Sequence, residues 1–174
     1  MSVLETLARE HALFRKLLHR LEQAIDLNET SARRQIQNTL LVLFPALETH
    51  EEIENLVFDP FLMKLHHGRK EFLRKVGRQH TLLHSLKKDV LRALAGSPKD
   101  DFDFLKTLVL QLTEILKHHL ETEEEYLWPE YLKFLGRSAG RSLGHRAARK
   151  VRELELDVED RERAIEEYLG SQAR

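Results

Sequence analysis

Four histidines and two glutamates interrupt apolar stripes that would otherwise be continuous. On one segment Leu105, Val109, Leu112 and Leu116 recur at helical spacing, and the next steps land on His119 and Glu123. An earlier segment runs Ile36, Leu40, Leu43, Leu47 and then meets His50 and Glu54. His11 fills the gap in Leu7, Phe14, Leu18, Leu21, and His80 stands among Leu73, Val76, Leu83 and Val90. Residues four apart share a helix face, so each His-x-x-x-Glu presents an imidazole and a carboxylate to the same side.

These positions repeat. Helices carrying His11 and then His50/Glu54 match those carrying His80 and then His119/Glu123 at a constant offset of 69 residues, and Pro60 and Pro129 obey the same offset. The chain reads as one helical hairpin written twice. When the two hairpins face each other, His11, His50, Glu54, His80, His119 and Glu123 converge on the axis. A lone histidine on an apolar stripe is more often a hydrogen-bonded core residue. That explanation would have to hold at every one of these positions, in a twofold pattern.

An ionised glutamate in an apolar core carries a desolvation penalty of several kcal/mol unless it is paired, and two carboxylates together repel. Bound cations satisfy all six groups. Imidazole with carboxylate suits iron, manganese or zinc, and the absence of cysteine excludes thiolate sites and disulfides. One glutamate from each half can bridge two metals about 3.5–4 Å apart, the spacing of two-metal sites. No Glu-x-x-His motif of the ferritin type occurs, and "HEEIE" at 50–54 is not the His-Glu-x-x-His of zinc proteases. No residue is singled out as catalytic.

The elements that must hold these residues follow from the stripes and the punctuation. A first helix is expected from Ser2 to Asp26, capped by Ser2 with Glu5 three residues on. A second starts near Thr30 or Ser31, is kinked at Pro45 and breaks at Pro60. A third spans Arg69 to Ala95, "AGSPKDD" stops it, and a fourth spans Asp101 to Trp128, where Pro129 ends or kinks it. No segment alternates as a strand would. The expected fold is all-α: an antiparallel up-down-up-down four-helix bundle with an additional C-terminal helix. The bundle is assigned to residues 1–135 and the extension to 136–174. The extension's helix runs from His145 to Leu169, with Ala147, Val151, Leu154, Val158, Ile165 and Tyr168 on one stripe that must bury on the bundle or on a partner, including a second copy.

The remaining features exclude other classes. Lys and Arg number 28 against 29 Asp and Glu, for a net charge of −1. That balance does not point to nucleic acid or an anionic membrane. A basic run from Lys133 to Arg152 gives way to an acidic one, which reads as a solvated face. Its one aromatic, Phe134, and the absence of a recognisable motif do not suggest nucleic-acid binding. No apolar run approaches the roughly 18 residues of a membrane span, and the N-terminus lacks the pattern of a signal peptide, so the expected location is cytoplasmic.

The set His11, "HEEIE" 50–54, His80 and "HLETE" 119–123, with "HHLETEEEYLWP" as its second half, resembles the hemerythrin-like, HHE cation-binding family over residues 1 to 135. The resemblance implies two non-haem iron ions bridged by carboxylates, with an oxo or hydroxo bridge. It implies binding or sensing of dioxygen or a related small oxidant. The alternatives are a di-iron redox enzyme acting on peroxide, nitric oxide or O2, and an interaction module whose metal site is structural. The oxygen-carrying hemerythrins have His-x-x-x-His on the third helix. His84 supplies that spacing after His80, either as a further ligand or on the helix flank, and its repeat partner is Arg15. The carriers' final carboxylate is an Asp one residue beyond the position of Glu123, which argues against simple oxygen carriage. Glu51 reads as a solvated residue, or as one that reaches the metals if the second helix rotates. Tyr126, one turn from Glu123, is a candidate redox tyrosine or a packing residue. Trp128 and Tyr131 are expected to cap the core below the site.

Overall fold

A computed structural model of the chain describes residues 3–63, 70–96, 101–136, 149 and 158–171, with the side chains of 70–76 excepted. Among these residues the structure is helical, without strands. Helix α1 spans Val3–Ala24, α2 Glu29–Leu62, α3 Lys70–Ala95 and α4 Phe102–Thr122. A π-helical turn, Glu123–Leu127, continues α4 directly into α5, Trp128–Leu135. A further helix, α6, covers 158–171. The expected cap at Ser2, the inward Leu73 and Val76, and the stripe residues Ala147, Val151 and Leu154 lie outside the described part, as does most of the basic run.

Local chemistry explains where the helices start. The Asn28 side chain accepts from the Ser31 N–H at 3.1 Å, so α2 begins at Glu29, slightly ahead of the expected Thr30. The Asp101 side chain accepts from the Asp103 N–H at 2.9 Å and caps α4. Two expectations about proline need correction. Helix α2 does not break at Pro60 but continues through it to Leu62, with the Met63 N–H bonded back to the Asp59 carbonyl. At Pro129 the helical run does not end, which removes one of the two alternatives given for it. The proline sits in the first turn of α5, directly after the π turn.

Helix α1 packs on α2, α3 on α4, α1 on α4 and α2 on α3, which closes a ring around a shared interior. That interior has three layers. A large apolar cluster includes Phe14, Leu18, Leu21, Ile36, Leu40, Leu43, Val90, Val109 and Leu112. A smaller one comprises Leu7, Ile53, Val57, Phe58, Phe61, Leu127, Tyr131 and Val158. The polar residues of the two His-x-x-x-Glu motifs and their partners lie between them, because the stripes that build both clusters pass through those positions. Helix α6 lies along α1 and α2 of its own chain. It sends Val158 into the small cluster and Ile165 into the large one. Tyr168 Oη and Thr39 Oγ1 share a hydrogen bond of 2.8 Å, and Arg161 donates to the Pro45 carbonyl at 2.7 Å. No helix among the described residues is long and apolar enough to cross a membrane.

Candidate metal centre

The six sequence-predicted residues meet in two overlapping groups. His11, His50, Glu54 and Glu123 each bring one donor atom within 4.8 Å of the others, and so do Glu54, His80, His119 and Glu123. The two glutamates belong to both groups. His11 is inaccessible to solvent, and His50, Glu54, His119 and Glu123 are buried; His80 alone is partly exposed.

The imidazoles face one another through Nε2. His11 Nε2 lies 3.1 Å from His50 Nε2, and His80 Nε2 lies 3.2 Å from His119 Nε2. Their other nitrogens are held from behind. His11 Nδ1 donates to Glu124 Oε1 at 2.8 Å and His50 Nδ1 to Glu10 Oε2 at 2.9 Å. His119 Nδ1 faces the Gln79 amide oxygen at 3.5 Å, and His80 Nδ1 faces Glu51 Oε1 at 3.3 Å. Carboxylate and amide oxygens accept only, so Nδ1 carries a proton and the inward Nε2 is the nitrogen left to hold a cation. Outer partners of this kind hold metal-ligating histidines in orientation.

The carboxylates complete the picture. Nε2 atoms approach the oxygens of Glu54 and Glu123 at 3.0 Å (His50–Glu54), 3.2 Å (His119–Glu123), 3.4 Å (His11–Glu123) and 3.6 Å (His80–Glu54). None of these contacts has hydrogen-bond geometry: both oxygens of Glu54 and both of Glu123 are buried without a hydrogen-bond partner. Oxygens and bare imidazole nitrogens are all lone-pair donors. They crowd together without protons enough to pair them, which is the arrangement a cation resolves.

Protonation equilibria carry the same signature. Burial, with His50 beside it, pushes His11 down to about 2. Burial, with the neighbouring histidines, pushes His119 down to about 3. Burial opposes a charge on His50, but Glu54 and Glu10 outweigh it and raise His50 to about 10. Burial also works to raise Glu54, and the His50 charge more than reverses it, holding Glu54 below the usual carboxylate range. Burial and the Glu54 charge lift Glu123 well above that range. A cluster with no other cation therefore keeps one proton on His50 and one on Glu123.

A cavity of about 50 Å³ reaches the cluster between α2 and α3. His50, Glu54, His80 and His119 line its floor, and Glu48, Glu51, His84 and Lys87 its sides. Lys87 and Glu48 are ion-paired across it.

The model of the hemerythrin HHE cation-binding domain matches residues 2–131. This chain is a member of the hemerythrin HHE family. No curated protein and no solved structure matched it significantly. The match spans both hairpins of this hemerythrin-like domain, so all six converging residues lie inside it.

Other residues of interest fall around the six. The His84 side chain is 54% exposed and pairs with Glu51 at 3.0 Å, outside both groups. Glu51 stands behind His80 and does not join either group. Trp128 lies against His11, with ring centroids 4.9 Å apart, and Tyr131 is buried between Phe58 and Phe61. The reading of Tyr126 as a packing residue is corrected: Tyr126 is 57% exposed, and its neighbour Leu127 is buried instead. The π turn is the cause. It adds a residue to one helical turn and advances the inward face by one position. The repeat shows the slip directly. Val57, the counterpart of Tyr126, is buried on α2, and Glu130, the counterpart of the buried Phe61, is only half-buried while its neighbour Tyr131 is buried.

Glu10, Gln79 and Glu124 escaped the sequence reading. A signal for the first two was present, since each directly precedes a stripe histidine and they are 69 residues apart. Nothing in the periodicity marks Glu124, which reaches His11 from the π turn.

Proposed function

We propose that this domain holds two iron ions, with His11, His50, His80 and His119 as terminal ligands and Glu54 and Glu123 shared between the ions. On this reading the centre binds or senses dioxygen or a related small oxidant. The observation that carries it is the set of four carboxylate oxygens, buried and without hydrogen-bond partners, facing four imidazole Nε2 atoms. The up-down-up-down order of the four helices belongs to the same reading, because it presents each His-x-x-x-Glu to the other.

Bound iron supplies redox capacity and open coordination positions. The chain's own residues set the conditions. Glu10 and Glu124 hold the proton on His50 Nδ1 and His11 Nδ1, which keeps both Nε2 atoms available. Phe14 packs edge-on to His50 with centroids 5.1 Å apart, and Trp128 covers His11, so water is excluded from that side. The cavity between α2 and α3 gives a small molecule a path to the cluster, which favours a ligand-binding role over a purely structural metal site.

The test is metal analysis of the purified protein, with optical spectra under air and under reductant. About two irons per chain, with an absorption that changes reversibly between the two conditions, is the expected result. A protein that takes up no iron, zinc or manganese would exclude the reading. Two ions whose spectrum is indifferent to oxygen and reductant would leave a structural centre.

A further inference from the structure

The two groups are built from repeat-equivalent residues but do not have equivalent surroundings. Behind His50 stands Glu10, a buried carboxylate accepting at 2.9 Å. Behind His119, at the matching repeat position, stands Gln79, a neutral amide at 3.5 Å whose own nitrogen is buried without a partner. Behind His11, Glu124 accepts at 2.8 Å and is itself clamped by Arg15 at 2.8 Å. Behind His80, Glu51 stands at 3.3 Å and is paired with the half-exposed His84, the repeat partner of Arg15. In each comparison the first hairpin's histidine has the closer contact to the outer carboxylate or amide.

Solvent access differs in the same direction. The His11 side chain is 0% exposed and that of His80 is 18% exposed. Besides the cavity between α2 and α3, a second cavity borders His80, Glu54 and Glu123; His11 lines neither. At Gly77, one turn before His80, a side chain would meet none of the described residues within 4 Å.

A carboxylate behind a ligating imidazole raises its basicity and fixes its ring, and losing such a partner costs about 10–100-fold in metal affinity. An amide supplies the hydrogen bond without the charge. We infer that the two metal positions are unequal: the one at His11 and His50 fills first and retains its ion, while the one at His80 and His119 fills second and exchanges with solution. Glu10 against Gln79 is the main determinant. This inference rests on the dinuclear reading above.

Anaerobic titration of the metal-free protein with cobalt(II), followed by its visible d–d absorption and by chelator competition, tests it. Two steps are expected, separated by at least roughly tenfold in affinity, with mild chelation leaving one cobalt per chain. Gln79→Glu should tighten the second step by about 10–100-fold and leave the first in place. His80→Ala should retain a single ion at the wild-type first-step affinity, and His11→Ala should lose that tight step. Circular dichroism of each variant confirms that it is folded, and the His80→Ala measurement decides the matter even where Gln79→Glu does not fold. Two ions bound with one indistinguishable affinity, or tight binding that survives His11→Ala and disappears in His80→Ala, would overturn the inequality alone. No cobalt uptake by the wild-type chain would overturn the dinuclear reading and this inference with it.

Discussion

The large apolar cluster and the polar layer beside it are made by the same helices, at the same spacing, yet they relate to stability in opposite ways. Leu18, Leu21, Ile36, Leu43 and Leu105 are fully buried, and each favours folding by leaving water. Glu54 and Glu123 are buried to the same degree and each opposes folding, because a carboxyl group loses its hydration there and its oxygens find no hydrogen-bond partner. One layer supports the fold and the adjacent one draws on that support. The difference teaches that identical helical phase can serve packing at one turn and ligand presentation at the next. Only the side-chain chemistry changes.

The strongest way to break this contrast is to remove a shared carboxylate. Glu54→Ala and Glu123→Ala are each expected to lose both ions, since each glutamate belongs to both donor groups. Metal analysis after gel filtration checks this, and full metal content in either variant removes that residue from the centre. The apolar layer should behave the other way. Leu43→Ala or Leu112→Ala should cost about 2–5 kcal/mol in denaturant unfolding, with or without metal, while the metal content of the folded fraction stays the same. Metal loss without a change in stability would erase the distinction between the layers.

A third variant sharpens the contrast from within the polar layer. In metal-free protein Glu123→Met is expected to be neutral or to raise stability, by about 1–3 kcal/mol, because it removes a buried carboxyl group whose oxygens lack hydrogen-bond partners. Urea unfolding in chelator measures it. A clear loss would mean that Glu123 already has a satisfactory partner. The smallest effect is on protons. His50 is raised to about 10 and Glu123 well above the usual carboxylate range, so both are protonated near neutral pH in metal-free protein. Metal ligation needs both deprotonated, so uptake should release close to two protons, and affinity should rise with pH by up to about tenfold per proton per unit. Calorimetry in buffers of different ionisation enthalpy counts them, and uptake without proton release would contradict this protonation scheme.

Much of this was legible from spacing. The six converging residues, the doubled hairpin and, to within about two residues, the helix starts at α2 and α4 followed from periodicity and turn signals. Those rest on local rules or on a face that residues four apart must share. The π turn was not legible, because an extra residue in one turn leaves no mark in composition; it moved Tyr126 outward and left Leu127 buried. Continuation of α2 past Pro60 was also missed. A proline's cost depends on which hydrogen bond its position would have made, and that is set by the helix around it.

The amino-acid sequence by itself determined which helix faces are apolar, that imidazoles and carboxylates lie on those faces, and that they do so twice. Those are properties of period and residue type, and they hold however the helices are arranged. Tertiary structure alone decided which carboxylate stands behind which histidine. It placed Glu10 and Glu124 against the first pair, and Gln79 and Glu51 against the second. The reason is that such contacts join residues far apart in the chain, across a helix pair whose rotation is set by packing of the whole interior.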